Sequence, residues 1–219
     1  MRVKFVGWLL FLVVVGFSKS FAQSGIDGSY LWNSTSVTYV YNEKNEFTIG
    51  NKDHFSNQIN KLDYYYFDLT GYHKFTSHFQ LGAGYRYSST LKADIWNPSN
   101  NYLGYFVYLA QPGNLKIRCA TRFAYKTYKT GNDQYSIDNI SNIDFFVKSK
   151  SWFPKPYLMD EIFTELKTKR FQNVRIYGGF HLLKQKYFGL DLYYCYWRSH
   201  SGPNWYDYNV MGINTKIRI

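Results

Sequence analysis

Phe79-Gln80-Leu81-Gly82-Ala83-Gly84-Tyr85-Arg86-Tyr87-Ser88 decides the fold. Phe79, Leu81, Ala83, Tyr85 and Tyr87 fall on one side of an extended chain. Gln80, Gly82, Gly84, Arg86 and Ser88 fall on the other. Strict alternation of this kind has the period of a β-strand with two unlike faces. The pattern recurs at Val174–Leu182, where Arg175, Tyr177, Gly179 and His181 interleave with apolar residues, and at Phe188–Tyr196. It closes the sequence at Met211-Gly212-Ile213-Asn214-Thr215-Lys216-Ile217-Arg218-Ile219.

Extending the same reading gives eleven candidate strands: 29–41, 46–54, 63–72, 78–88, 102–110, 115–128, 143–151, 157–166, 173–182, 187–198 and 205–219. Most reach the 9–11 residues or so of a tilted transmembrane strand, whereas strands of soluble proteins average about 5–6. A soluble two-sheet sandwich would also alternate, but with shorter strands. Composition points the same way. The chain holds 23 Tyr, 18 Phe and 6 Trp, yet its mean hydropathy is −0.41. A helical membrane protein is excluded by that pairing, while a barrel needs only every second residue apolar.

The first 22 residues read as a secretory signal. Met1-Arg2-Val3-Lys4 is basic, Phe5–Phe17 is apolar, and Ser20 and Ala22 are small residues suited to cleavage after Ala22. The apolar run is shorter than the roughly 20 residues of a retained anchor. Residues 23–219 then form one domain. Three of the 26 basic residues lie in the leader, and the rest exceed the 15 acidic residues by eight. Export turns that surplus away from nucleic acid and toward a membrane surface or a barrel interior. Cys119 and Cys195 alternate onto opposite faces of separate strands, so two free thiols are expected.

The connections alternate as well. Asn42–Asn45, His73–Ser77, Gln111–Asn114, Trp152–Pro156 and Leu183–Lys186 are short. Phe55–Leu62, Ser89–Asn101, Lys129–Asn142, Lys167–Gln172 and Ser199–Asn204 are mostly longer. This is the asymmetry of periplasmic turns and outer loops. Bacterial single-chain barrels have even strand numbers, so the expected fold is an all-β, closed, antiparallel meander transmembrane barrel of about 12 strands, with 10 as the alternative.

Leu81–Ser88, Pro156–Phe163 and Arg175–Gly179 running into Tyr193–Arg198 carry a resemblance covering nearly all of residues 23–219. The order resembles a domain-of-unknown-function family of Gram-negative outer-membrane β-barrels. The resemblance implies a signal peptide, a meander barrel and the outer membrane, and it brings no catalytic residues. The chain departs from many outer-membrane barrels in ending Ile217-Arg218-Ile219 rather than on an aromatic residue.

Lys116, Arg118, Arg122 and Lys126 share one face of a strand. Lysine or arginine facing lipid at mid-membrane costs about 2–4 kcal/mol, so these side chains are expected to point into the lumen. Asp68, Glu161, Glu165 and Asp191 are the interior acids expected to pair with them. Gly82, Gly84, Gly189 and Gly212 would leave room in that lumen, and Tyr64, Tyr66, Tyr177 and Tyr193 would fill it. Two readings of function follow. One is a structural or binding barrel with a side-chain-filled lumen and recognition loops at Ser89–Asn101 and Lys129–Asn142. The other is a narrow channel in which the basic residues select small anions. A lipid-modifying enzyme stands third, since His200 and Asp207 are the only nucleophile-activating pair worth weighing and no catalytic motif accompanies them. No cofactor or metal is expected. The expected partners are outer-membrane lipid and the barrel assembly machinery, and Trp96, Trp152, Trp197 and Trp205 near strand ends suit interfacial girdles.

Overall fold

The computed structural model describes residues 28–56, 61–129, 131–146 and 154–219. The leader, its cleavage point after Ala22, and Trp152 lie outside them. Among the described residues there are eleven strands and no helix: β1 (Gly28–Val40), β2 (Asn45–Ser56), β3 (Lys61–Lys74), β4 (Phe79–Lys92), β5 (Ile95–Ala110), β6 (Leu115–Tyr128), β7 (Gln134–Phe145), β8 (Lys155–Glu165), β9 (Arg170–Lys184), β10 (Phe188–Ser201) and β11 (Asn204–Arg218). Each pairs antiparallel with its successor, and β1 pairs with β11 to close a barrel. That last pair is parallel, with Gly28 opposite Tyr208 and Thr38 opposite Arg218. About twelve strands, or ten, were expected and eleven are described; the expectation that all pairs are antiparallel is corrected by this one. In an up-and-down barrel with an odd number of strands the first and last point the same way, so their pairing has to be parallel.

The barrel therefore has two distinct mouths. β1 begins at the first, beside the turns at 93–94, 166–169 and 202–203. It ends at the second, beside the turns at 41–44, 75–78, 111–114 and 185–187. The anticipated asymmetry of loop length is not present in the described turns. Ser89–Asn101 is the end of β4, a two-residue turn and the start of β5. Ala93 and Asp94 take φ of +48° and +61°, the paired left-handed residues of the tight turn that matches strand twist. Most of Lys129–Asn142 is β7. Neither segment is a free recognition loop. The Pro112-Gly113 turn is as read, with Gly113 at φ +58°.

Alternation separates the two faces. Outward, every one of the eleven strands presents at least one large apolar side chain to the surroundings, among them Val37, Ile49, Phe67, Leu81, Phe106, Phe123, Tyr135, Leu158, Ile176, Phe188 and Ile213. Ile49 is 64% exposed. This outer belt has a polar interruption on β6–β8. Thr121 lies opposite Asn139 and donates to it at 3.2 Å, Cys119 lies opposite Ser141, and Ser141 lies opposite Asp160. Cys119 is exposed and Cys195 buried, both free thiols.

Inward, two packed clusters occupy the lumen. Trp32, Tyr157, Tyr177, Tyr193, Cys195 and Val210 form one. Leu103, Tyr105, Val107 and Ala120, with Tyr72 against them, form the other. Glycines on the inner face leave less room than their size suggests, because tyrosines of neighbouring strands lie across them. Tyr72 is opposite Gly82, Tyr157 opposite Gly179 and Tyr193 opposite Gly212. A Cβ added at Gly212 would fall 2.0 Å from the Tyr193 ring, one at Gly82 2.6 Å from Tyr72, and one at Gly179 2.7 Å from Tyr157. Each glycine is a seat for a ring, and the ring is what fills the barrel. Gly212→Ala should therefore overpack the lumen and lower stability by about 1–3 kcal/mol. Urea unfolding of the refolded protein checks this, and adding Tyr193→Leu should recover most of the loss.

Candidate functional site

Among the described residues, three arginine–carboxylate pairs cross the interior, each between residues directly opposite one another on adjacent strands. Arg86 on β4 faces Asp68 on β3, Arg122 on β6 faces Asp138 on β7, and Arg175 on β9 faces Glu161 on β8. Arg86 Nη2 donates to Asp68 Oδ2 at 2.8 Å, and Arg122 donates through Nε and Nη2 to Asp138 Oδ2 at 2.9 Å. Arg175 Nη1 donates to Glu161 Oε2 at 3.1 Å, and the same oxygen accepts from Tyr177 OH at 2.8 Å. Arg122 and Asp138 are buried. The inward parity of each strand brings these groups into the lumen, and the register of each hairpin chooses the partner.

A fourth interior cation has a different environment. Lys52 on β2 lies opposite Ser34 and Tyr66. Its ammonium sits 4.0 Å over the ring of Trp32, and no carboxylate lies within ion-pair distance of it among the described residues. The buried imidazole of His54 stacks on that indole, with ring centroids 4.1 Å apart and planes 13° apart. The Arg175 guanidinium is ringed by Phe163 at 4.7 Å, Trp32 at 4.9 Å and Trp197 at 5.3 Å. Cation–π contacts of this kind contribute about 0.5–2 kcal/mol each, most when water is excluded.

These groups wall a cavity of about 410 Å³ at the first mouth, between Lys52, His54, Arg86, Arg122, Arg175 and Trp197. Lys126 and Asp63 stand among its lining. At the edge of this mouth Lys61, the first residue of β3, donates to Asp94 in the turn after β4 at 2.8 Å and holds the Asp94 carboxyl below the ordinary range. A second cavity, of about 530 Å³, opens at the other mouth between Glu43, Glu46, Lys74, Lys116, Arg118 and Arg218. The two share no lining residue.

The four basic residues singled out from β6 are thus distributed along the barrel. Lys116 and Arg118 belong to the second mouth, where Arg118 Nη2 reaches Tyr72 OH at 3.5 Å. Arg122 lies in mid-barrel. Lys126 lies at the first mouth, 4.9 Å from the Tyr128 ring centroid. Of the acids, Asp68 and Glu161 pair with Arg86 and Arg175. Asp191 pairs with His181 at 2.7 Å and with Lys216. Glu165 accepts from Thr168 at 2.7 Å and Gln172 at 3.0 Å, closing the turn after β8. None of the four acids pairs with a basic residue of β6, which was the pairing expected. His200 lies opposite Trp205, whereas Asp207 lies opposite Arg198 and pairs with it at 3.3 Å. Lys52, Arg86, Arg175 and Asp138 were not singled out as site residues. The inward parity of Arg86 and Arg175 was readable in their strands, but nothing along the chain marks Asp138.

Closed, helix-free among the described residues, apolar outside and charged within, the chain has a β-barrel fold compatible with crossing a membrane. It belongs to the family described as "Protein of unknown function (DUF2490)", whose model matches residues 30–208. No curated protein and no solved structure matches it.

Breaking one interior pair leaves a buried charge alone. Arg122→Leu should cost about 3–5 kcal/mol, whereas Arg122→Leu with Asp138→Leu should regain most of that loss. A double-mutant cycle by urea unfolding distinguishes the two.

Proposed function

We propose that this protein is an integral barrel of the outer membrane whose lumen is filled by its own side chains, and that it acts by binding at its mouths rather than by conducting. The outer belt is the observation that carries the reading. Monomeric soluble proteins rarely expose apolar patches beyond a few hundred Å², and here every strand contributes an exposed large apolar residue. Lipid is the solvent that makes such a surface favourable, and a closed sheet is the only β-structure whose backbone groups are all satisfied there. The apolar leader at Phe5–Phe17 supports export to that membrane.

The filled lumen is supported by the two clusters between the mouths, where Trp32, Val107, Cys195 and Val210 have no exposed surface. Barrels of about eight strands are filled by side chains, and open aqueous channels belong to about 16–18. Eleven strands lie between, and the tyrosines seated on Gly82, Gly179 and Gly212 tip the balance toward filling. Planar-bilayer recording from protein with heat-shifted gel mobility, the mark of a folded barrel, should give no discrete conductance steps. Reproducible steps would overturn the filled lumen.

The polar interruption on β6–β8 offers a test of the lipid contact itself. Asp160 is the sixth of the eleven residues of β8 and points outward. An acid on a lipid-facing position costs less than the 2–4 kcal/mol or so of a base, so Asp160→Val should stabilise the barrel in liposomes by about 1 kcal/mol. A clear loss of stability instead would mean that this face meets something other than lipid.

A further inference from the structure

We propose that the cavity at the first mouth is a binding site for a small monoanion with a flat unsaturated or aromatic body, and that Lys52 is the residue that reads its charge. This rests on the reading of the protein as a barrel that works at its mouths, and it names the ligand class.

Charge matching comes first. Around the cavity and its floor stand four interior cations, Lys52, Arg86, Arg122 and Arg175, and three interior acids, Asp68, Asp138 and Glu161. Each arginine takes one acid in a directly opposed pair. Lys52 is left over, opposite Ser34 and Tyr66. At the rim Lys126 and Asp63 offset each other in sign. With Lys52 protonated, the enclosed set thus carries a surplus of one positive charge, located on a side chain that lines the cavity. An enclosed ammonium without a counter-ion is costly, and one negative charge on a ligand balances it.

Hydrogen bonding gives the same sign. Arg86 Nε, Arg175 Nε and His54 Nε2 are buried and have no hydrogen-bond partner among the described residues. His54 is only 5% exposed. Both guanidinium groups are donors only, so these two N–H groups call for acceptors, and a ligand that brings acceptor oxygens answers them.

Shape and surface supply the rest. Tyr64, Tyr66, Phe163 and Trp197 line the same space, with Trp32 beneath Lys52. Aromatic walls with a few placed polar groups are the usual make-up of a small-molecule pocket, and about 410 Å³ is within the usual range of size. The aromatic rings favour a flat body, and Lys52 with the guanidinium edges favours a carboxylate or a similar oxyanion at one end of it.

Benzoate is the probe, with benzamide as its uncharged counterpart, titrated into refolded full-length protein while tryptophan fluorescence is followed. Trp197 lines the cavity and Trp32 its floor, so occupancy should change the emission. Benzoate is expected to saturate the signal, and benzamide to bind at least about tenfold more weakly. Lys52→Met should weaken benzoate by about thirtyfold or more, the loss expected when one partner of an enclosed charge pair is truncated. Lys52→Arg should keep it, and Arg118→Met at the other mouth should leave it unchanged. Wild-type circular dichroism and heat-shifted mobility in each variant exclude misfolding as the cause. No saturable benzoate binding, equal binding of benzamide, or undiminished binding by Lys52→Met would each overturn the proposal. Binding is read on folded protein in solution, so its outcome is independent of the bilayer recording and the two readings fail separately.

Discussion

Closure of the sheet through β1 and β11 is the constraint on which the other features depend. A β-strand carries unpaired N–H and C=O groups along any free edge, and an edge in lipid has no water to satisfy them. Joining Gly28–Thr38 to Tyr208–Arg218 removes both edges at once. It also fixes what the interior must hold. With eleven strands the lumen is wider than that of an eight-stranded barrel and narrower than that of the roughly 16–18-stranded barrels that hold aqueous channels. The side chains that fit are long and flat, which accounts for the inward-facing tyrosines Tyr72, Tyr105, Tyr157, Tyr177 and Tyr193.

Those rings need room beside them, and glycine provides it. Tyr72, Tyr157 and Tyr193 each lie across a glycine on the neighbouring strand, so ring and gap together occupy about the depth that two ordinary side chains would. The remaining interior space is polar. Arginine suits it because its planar group both pairs with a carboxylate and stacks on aromatic faces. Arg175 does both, between Glu161 and three rings. Filling and charge are therefore one arrangement rather than two. The cations are held where they are by carboxylates and by the rings that pack the lumen, and the cavity at the first mouth is where that arrangement meets solvent.

The strands that could be read from the sequence are those with one apolar and one polar face, such as Phe79–Ser88 and Phe188–Tyr196. β7 could not be read in this way. In Gln-Tyr-Ser-Ile-Asp-Asn-Ile-Ser-Asn-Ile-Asp-Phe the inward positions carry Asp138 and Asp144 because the lumen needs counter-charges, and the outward positions include Asn139 and Ser141. With polar residues on both faces, the alternation disappears and the segment resembles a loop. The end of β4 and the start of β5 were hidden for a related reason, since Ser89, Ser99 and Asn101 are polar yet buried. Interior placement of Asp68 and Glu161 followed from parity alone. Their partners did not, because the choice between Arg86 and Arg118 for a given acid depends on which strands are neighbours and in what register. The count of eleven was present in the alternation itself. The expectation of an even number displaced it, and the parallel pair shows how an odd barrel closes.

That parallel pair also limits how the chain could be rearranged. In most domains the two ends of the chain lie close together, which is why new ends can often be opened elsewhere and the old ones joined. Here β1 starts at one mouth and β11 finishes at the other. A linker joining them would have to travel the full height of the wall, about 40 Å for a strand of this length, either through a packed lumen or along the apolar exterior. A direct join of β11 to β1 thus meets an obstacle that a barrel with an even number of strands does not pose.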